Sequence, residues 1–253
     1  MGIVTAAYAL GAAVSPPLFA LAVDGGGYQM AMIGLAAALI ILGGLSAVLL
    51  ASSGAHFLSR PADASSNKSR ISDLSLLWIG YGAGVAGGLM VIGHAAGLLA
   101  AADTSTPYWA APVLIAVCNL TGSLVAGWMI DRVSQGALLI GLPLLSAAAL
   151  LVLSGSFQEA TLIIGLGVVG FAYGGIIAAY PAAIAKFFGM LDSPRIYGRV
   201  FTAWGAAGLA APWLAGFLYD LDGAYFVALT TAGALGCVSS LAAVVFFLRR
   251  HPR

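Results

Sequence analysis

Long apolar stretches alternate with short polar ones along the whole chain. A helix that crosses a bilayer needs about 20 mostly apolar residues, and eight segments meet that length. They are roughly Ile3–Val23, Met30–Ser52, Leu74–Ala101, Trp109–Ile130, Ala137–Leu153, Ala160–Phe188, Val200–Leu218 and Tyr225–Leu248. The fifth is short, and the third and sixth are long enough to tilt or kink. Runs such as Leu35–Leu42 and Leu150–Leu153 do not alternate apolar with polar positions as barrel strands do, so the spans read as helices. A signal peptide is disfavoured for the first span, because no Lys or Arg precedes it and Pro16-Pro17 interrupts it.

Composition narrows the class. Hydrophobic residues make up 61% of the 253 and charged residues 8%, with a mean hydropathy of +1.03. Soluble domains carry roughly 25% charged residues, so a soluble enzyme is excluded, and disorder is excluded with it. The net charge of +1 leaves no footprint for nucleic acid. Cys118 and Cys237 lie in apolar runs and give neither a metal spacing nor a disulfide framework. Phosphate-cradling loops, HExxH and Gly-x-Ser-x-Gly elbows are absent, so neither catalysis nor a cofactor or metal is expected.

Charge placement supplies orientation. If the loops alternate sides, one set holds all ten cations: Arg60, Lys68 and Arg70, then Arg132, then Lys186, Arg195 and Arg199, then Arg249, Arg250 and Arg253. The other set holds Asp24, Asp103, Glu159, Asp220 and Asp222 and no cation. The bias of Lys and Arg toward the cytoplasm then predicts a multi-pass protein of the inner (plasma) membrane with both termini cytoplasmic. A miscount by one span would scramble the segregation.

The polar stretch 53–73 is the natural linker between residues 1–52 and 74–253. A faint internal echo joins the two parts. Ser15-Pro16-Pro17-Leu18 resembles Ala211-Pro212-Trp213-Leu214, with Asp24 and Asp220 each eight residues beyond the aligned proline, followed by Tyr28 and Tyr225.

Four stretches stand out: Gly11–Pro16; Gly88–Ala95; Asn119-Leu-Thr-Gly122 followed by Gly127–Arg132; and Tyr197–Gly205 with Gly208 and Pro212. Together they resemble the major facilitator superfamily, and within it the oxalate/formate antiporter and monocarboxylate porter group. The resemblance runs along nearly the whole chain, aligned to the last eight of twelve helices. It implies an all-α integral membrane fold of eight transmembrane helices. Residues 74–253 would be a complete C-terminal six-helix bundle, and residues 1–52 a two-helix remnant of the N-terminal bundle. In oxalate-type members two cations in the translocation path pair with the substrate carboxylates; the matching positions here are Ser123 and Trp204. A dianion at mid-membrane needs compensating charge, so the resemblance implies a monocarboxylate before oxalate.

No Asp, Glu, Lys or Arg falls near the middle of a predicted span. His94 is the titratable candidate at depth besides tyrosine, either as a carboxylate or proton partner or as a neutral histidine hydrogen-bonded within the protein. Tyr81, Asn119, Ser123 and Trp204 are candidates for the same cavity; for Tyr81 and Asn119 the competing role is an interhelical hydrogen bond. Asn119 and Ser123 share a helical face, and Trp204 is preferred over Thr202 by the resemblance. Asp131 and Arg132 are candidates for a gating charge clamp. Glycine ridges at Gly80, Gly84 and Gly88, and at Gly170 and Gly174, predict close helix packing. The expected function is alternating-access transport of a small organic anion across the lipid bilayer. The rival expectation is a truncated or non-transporting membrane protein, for which self-association would restore a second wall.

Overall fold

The computed structural model describes residues 2–54, 71–102, 104, 106–156 and 158–250. Arg60, Lys68, Arg70, Asp103, Arg253 and most of the expected linker lie outside the described residues. Every described element is helical: α1 (Gly2–Ser52), α2 (Ile71–Gly93), α3 (Ala95–Ala101), α4 (Ala110–Met129), α5 (Gln135–Gly155), α6 (Glu159–Phe188), α7 (Ser193–Asp222) and α8 (Phe226–Arg250). Seven of them, all but α3, are long and apolar enough to cross a membrane. Many large apolar side chains point away from the protein, Leu209, Ile164 and Leu241 among them. Water would not tolerate so much apolar surface, whereas lipid does; this is a multi-pass helical membrane protein.

The eight helices do not match the eight expected spans one for one. The first two spans fall in the segment α1, which runs through Pro16 and Pro17 and breaks at Gly27 (φ 76°, ψ 169°), within the turn expected between Val23 and Met30. Those dihedrals are accessible to glycine almost alone, while neighbouring groups in a membrane helix re-satisfy the carbonyl that a proline leaves without a donor. The third expected span divides at His94 into α2 and α3. Helix α2 begins at Ile71, so Asp73 belongs to its first turn rather than to the linker.

The chain forms two compact units, Val14–Asn67 and the remainder. Within the first, Phe19 and Tyr28 meet edge-on at 6.0 Å across the Gly27 break. In the second, α4 packs on α6, α5 on α8 and on α6, and α2 on α7 and α8. Lipid tails are as apolar as leucine, so helices associate here through close backbone approach and interhelical hydrogen bonds. A Cβ at Gly122 would fall on the Phe171 carbonyl, and one at Gly174 on the Asn119 carbonyl. Ser239 donates to the Gly80 carbonyl at 2.6 Å and Ser240 to the Ile140 carbonyl at 2.9 Å, tying α8 to α2 and α5.

The helix ends reproduce the charge segregation. Ser134 caps α5 by accepting from the Ala137 N–H at 3.3 Å, and Gly223 ends α7 in the left-handed region with φ 67°. At one end of the bundle lie the α4–α5 and α6–α7 turns, the start of α2 and the end of α8, with all six described cations. Glu159, Asp220 and Asp222 occupy the opposite end, where Glu159 accepts a hydrogen bond from Thr106 at 2.5 Å.

One charge pair at the cation end is withdrawn from solvent. Arg250 donates to Asp73 at 3.1 Å and to the Phe187 carbonyl at 3.4 Å. Its guanidinium also lies 4.3 Å from the Phe188 ring centroid and 5.3 Å from that of Phe246. Asp73 is buried, so it depends on this one partner. Removing one member of a buried pair leaves an uncompensated charge. Arg250→Ala is therefore expected to lower the apparent Tm in detergent by roughly 5 °C or more. The double variant with Asp73→Asn should recover part of that loss; equal melting of wild type and R250A would contradict this account.

Candidate functional site

A cavity of about 760 Å³ opens at the cation end of the bundle, between α4, α6 and α7. Asp131, Gln135, Pro181, Lys186, Tyr197 and Phe201 are among its lining residues. Local structure explains the arrangement. Helix α6 stops at Gly189, whose φ of 82° turns the chain sharply, and Pro194 in the first turn of α7 starts the next helix. The Gln135 amide donates to the Ile130 carbonyl at 3.1 Å, closing the α4–α5 turn under Asp131. Arg132 folds back along its own helix, donating to the Trp128 carbonyl at 2.9 Å with its guanidinium 4.2 Å from the Trp128 ring centroid. Of the two candidate gating residues, Asp131 lines the cavity and Arg132 does not.

An aromatic layer backs the cavity. Tyr197 and Phe201 lie 6.4 and 6.3 Å from the Tyr81 ring. Tyr81 in turn leans on Tyr180 at 4.6 Å. Phe201 stacks on Trp204 at 5.4 Å with the rings nearly parallel, and the Trp204 indole N–H donates to the Tyr173 hydroxyl at 3.0 Å. Helices α2, α6 and α7 thus share one aromatic cluster. Sequence reasoning missed Tyr173, Tyr180, Tyr197, Phe201 and Lys186 as site candidates. The available signal was spacing: Tyr197, Phe201 and Trp204 fall at i, i+4 and i+7 on one helical face.

The five expected substrate-binding residues are not gathered into this cavity; none of them is among its lining residues. Tyr81 and Trp204 belong to the aromatic layer behind it. Thr202 turns away from the layer and accepts from the Trp78 indole at 2.9 Å. Asn119 and Ser123 are buried where α4 meets α6. Ser123 donates to the Gly174 carbonyl at 3.1 Å, with the Asn119 side-chain oxygen at 3.4 Å. His94 sits half-buried at the opposite end of the bundle, between α2, α7 and the start of α8. Its Nε2 is 3.0 Å from the Pro212 carbonyl and its Nδ1 3.4 Å from the Tyr225 hydroxyl. A carbonyl only accepts, so Nε2 carries the proton, and in the neutral ring Nδ1 accepts from Tyr225. That is the hydrogen-bonded alternative for His94: both ring nitrogens already have protein partners. Among the described residues no group of three or more His, Cys, Asp or Glu is placed to hold a metal ion.

No protein-family model matches the chain. Among curated proteins it is similar to the uncharacterized MFS-type transporter YhjX of Escherichia coli (strain K12), 30% identical over 98 residues. The chain is a distant homologue of a major-facilitator-type transporter over that stretch. The match covers 38% of this chain and 24% of that protein's length.

The packing around Ser123 has a measurable consequence. Ser123→Ala removes one interhelical hydrogen bond and should cost about 1 kcal/mol. Ser123→Lys supplies the cation of the oxalate-type pattern but forces it into a contact with no free space, so it should abolish recovery of folded protein. Size-exclusion profiles in detergent distinguish the two; a well-folded Ser123→Lys protein would show that the α4–α6 contact opens easily.

Proposed function

We propose that this chain takes part in secondary transport of a small organic anion, a monocarboxylate, by alternating access. The observation that carries the reading is the cavity of about 760 Å³ entering from the cation-bearing end of an otherwise closely packed bundle. Lys186 reaches that cavity from α6 and would attract an anion, and an aromatic wall stands behind it to receive the apolar part of a small carboxylate. The partial similarity to a major-facilitator-type transporter supports transport as the class of activity. Because the matched stretch is about a quarter of that protein, the activity of a whole carrier is part of the proposal.

In this reading Asp131 and Lys186, which face the cavity from α4 and α6, bias its mouth between open and closed. Trp204 and Tyr81 serve from the aromatic layer. Asn119 and Ser123 set the α4–α6 contact, and His94 joins the α2–α3 break to Pro212. The membrane is the inner (plasma) membrane, with the cation end in the cytoplasm.

The test is uptake of radiolabelled formate and lactate into proteoliposomes. Flux above empty vesicles, reduced severalfold by Lys186→Gln, is the expected result. Equal counts with and without protein would favour a non-transporting membrane protein. Sidedness is checked separately with single cysteines at Gln158 and Gly189. An impermeant thiol reagent added outside cells should label the first and not the second; the reverse pattern would invert the orientation.

A further inference from the structure

Among the described residues the Tyr81 hydroxyl is, with the Thr104 hydroxyl, a buried polar group that packing leaves unexplained. The residue is fully buried; its hydroxyl meets no partner in good hydrogen-bond geometry, and the polar group that interacts with it is the Tyr197 hydroxyl. Its neighbours are rings: Tyr180 at 4.6 Å, Phe201 at 6.3 Å and Tyr197 at 6.4 Å. Buried hydroxyls almost always find a partner, because an orphaned one forfeits what water gave it. A phenylalanine would fill the same volume without that loss. The hydroxyl is therefore kept against a cost, and its position suggests why. Two of the three rings around it, Tyr197 and Phe201, also line the large cavity. They are one turn apart on α7, which is the least buried of the long bundle helices α2 and α4–α8, and each both lines the cavity and contacts the Tyr81 ring.

The geometry points to an aromatic gate: Tyr197 and Phe201 separate the cavity from the Tyr81 hydroxyl, and their displacement lets that hydroxyl donate a hydrogen bond to the carboxylate of the bound anion. The ligand half of this inference rests on the proposed transport of a monocarboxylate; the gate half does not. With the gate shut, the cavity presents Lys186 and Asp131 at its mouth and rings at its back. With the gate open, the anion gains a neutral donor at depth. A neutral phenol costs far less to bury than a cation when no substrate is present. Phe201 stacks on Trp204, whose indole N–H is held by Tyr173, so Trp204 is a fixed stop against which Phe201 rests when the gate is closed.

Two measurements decide it. With Cys118 and Cys237 replaced by serine, Tyr81→Cys reports access to the buried position. N-ethylmaleimide should label it slowly, and at least tenfold faster when Phe201→Ala or Tyr197→Ala is added. Equal rates would overturn the gate. Tyr81→Phe should change the apparent Tm little, since the Tyr81 hydroxyl has no partner in good geometry, and should raise KM for formate or lactate about tenfold, more than it lowers the maximal rate. A clear fall in Tm, or an unchanged KM in an active carrier, would overturn the role of the hydroxyl. If the wild type carries neither anion, the ligand assignment falls with the proposed function, and the labelling rates alone decide whether the gate exists.

Discussion

Between α4 and α6 there is room for hydrogen atoms and nothing larger. A methyl group at Gly122, Gly170 or Gly174 would collide with a backbone carbonyl of the facing helix. In a bilayer the hydrophobic effect does not drive one helix onto another, so this contact has to be made by backbone approach and by the Ser123–Gly174 hydrogen bond. Its consequences spread through the bundle. Toward the cation end, from Gly127 on α4 and Ala178 on α6, the same two helices instead flank the large cavity. One pair of helices is thus sealed along part of its length and open beyond it. The glycines decide where the sealed part ends.

The spans were legible because their signal is additive: twenty apolar residues in a row outweigh any local ambiguity. The charge segregation was legible for the same reason, with all described cations falling at one end of the bundle. The glycine ridges on α2 and α6 could also be read, since small residues at four-residue spacing have few uses in lipid other than close packing. What failed was anything that depends on a partner far away in sequence. Arg250 and Asp73 are 177 residues apart, and neither position alone distinguishes a buried clamp from two ordinary interfacial charges. His94 looked like a lone polar group at depth because its partners, a proline carbonyl and a hydroxyl from another helix, leave no trace in its own neighbourhood. The break in α1 falls in the turn expected between the first two spans. Proline is the louder signal, but a membrane helix can absorb Pro16 and Pro17, whereas the dihedrals of Gly27 end the helical ladder outright.

The two charged features at the cation end follow different logic. Asp73 and Arg250 are sheltered, so their attraction is screened little, and the three phenylalanines around the guanidinium reward the flat, weakly hydrated arginine over lysine. This pair fixes the end of α8 against the start of α2 and the end of α6. Asp131 and Lys186 are exposed at the cavity mouth, where water and salt screen them. Screened charges hold a boundary weakly, which on the proposed function suits a mouth that changes between two states at little cost. The charges on the α2–α8 side and those at the α4–α6–α7 cavity mouth thus differ in their degree of burial.

The presence of Ser123 and Trp204, where the resemblance to oxalate-type carriers would place cations, is intelligible on the same grounds. A lysine or arginine at mid-membrane is stable when a dianion or a carboxylate partner is at hand, and expensive otherwise. A carrier for a single carboxylate has only one charge to offer in return, so a permanent deep cation would be poorly compensated in every unloaded state. In this bundle Ser123 is spent on helix packing and Trp204 on an aromatic layer, while a cation lines the cavity mouth at Lys186, where it stays hydrated. Hydrogen-bond donors that carry no charge are then the economical way to hold an anion further in. An aromatic lining supplies them from tyrosine without adding a group that the empty state must neutralise. On the proposed function, uncharged donors in place of deep cations shift the electrostatic cost away from the empty state, which suits the single negative charge of a monocarboxylate.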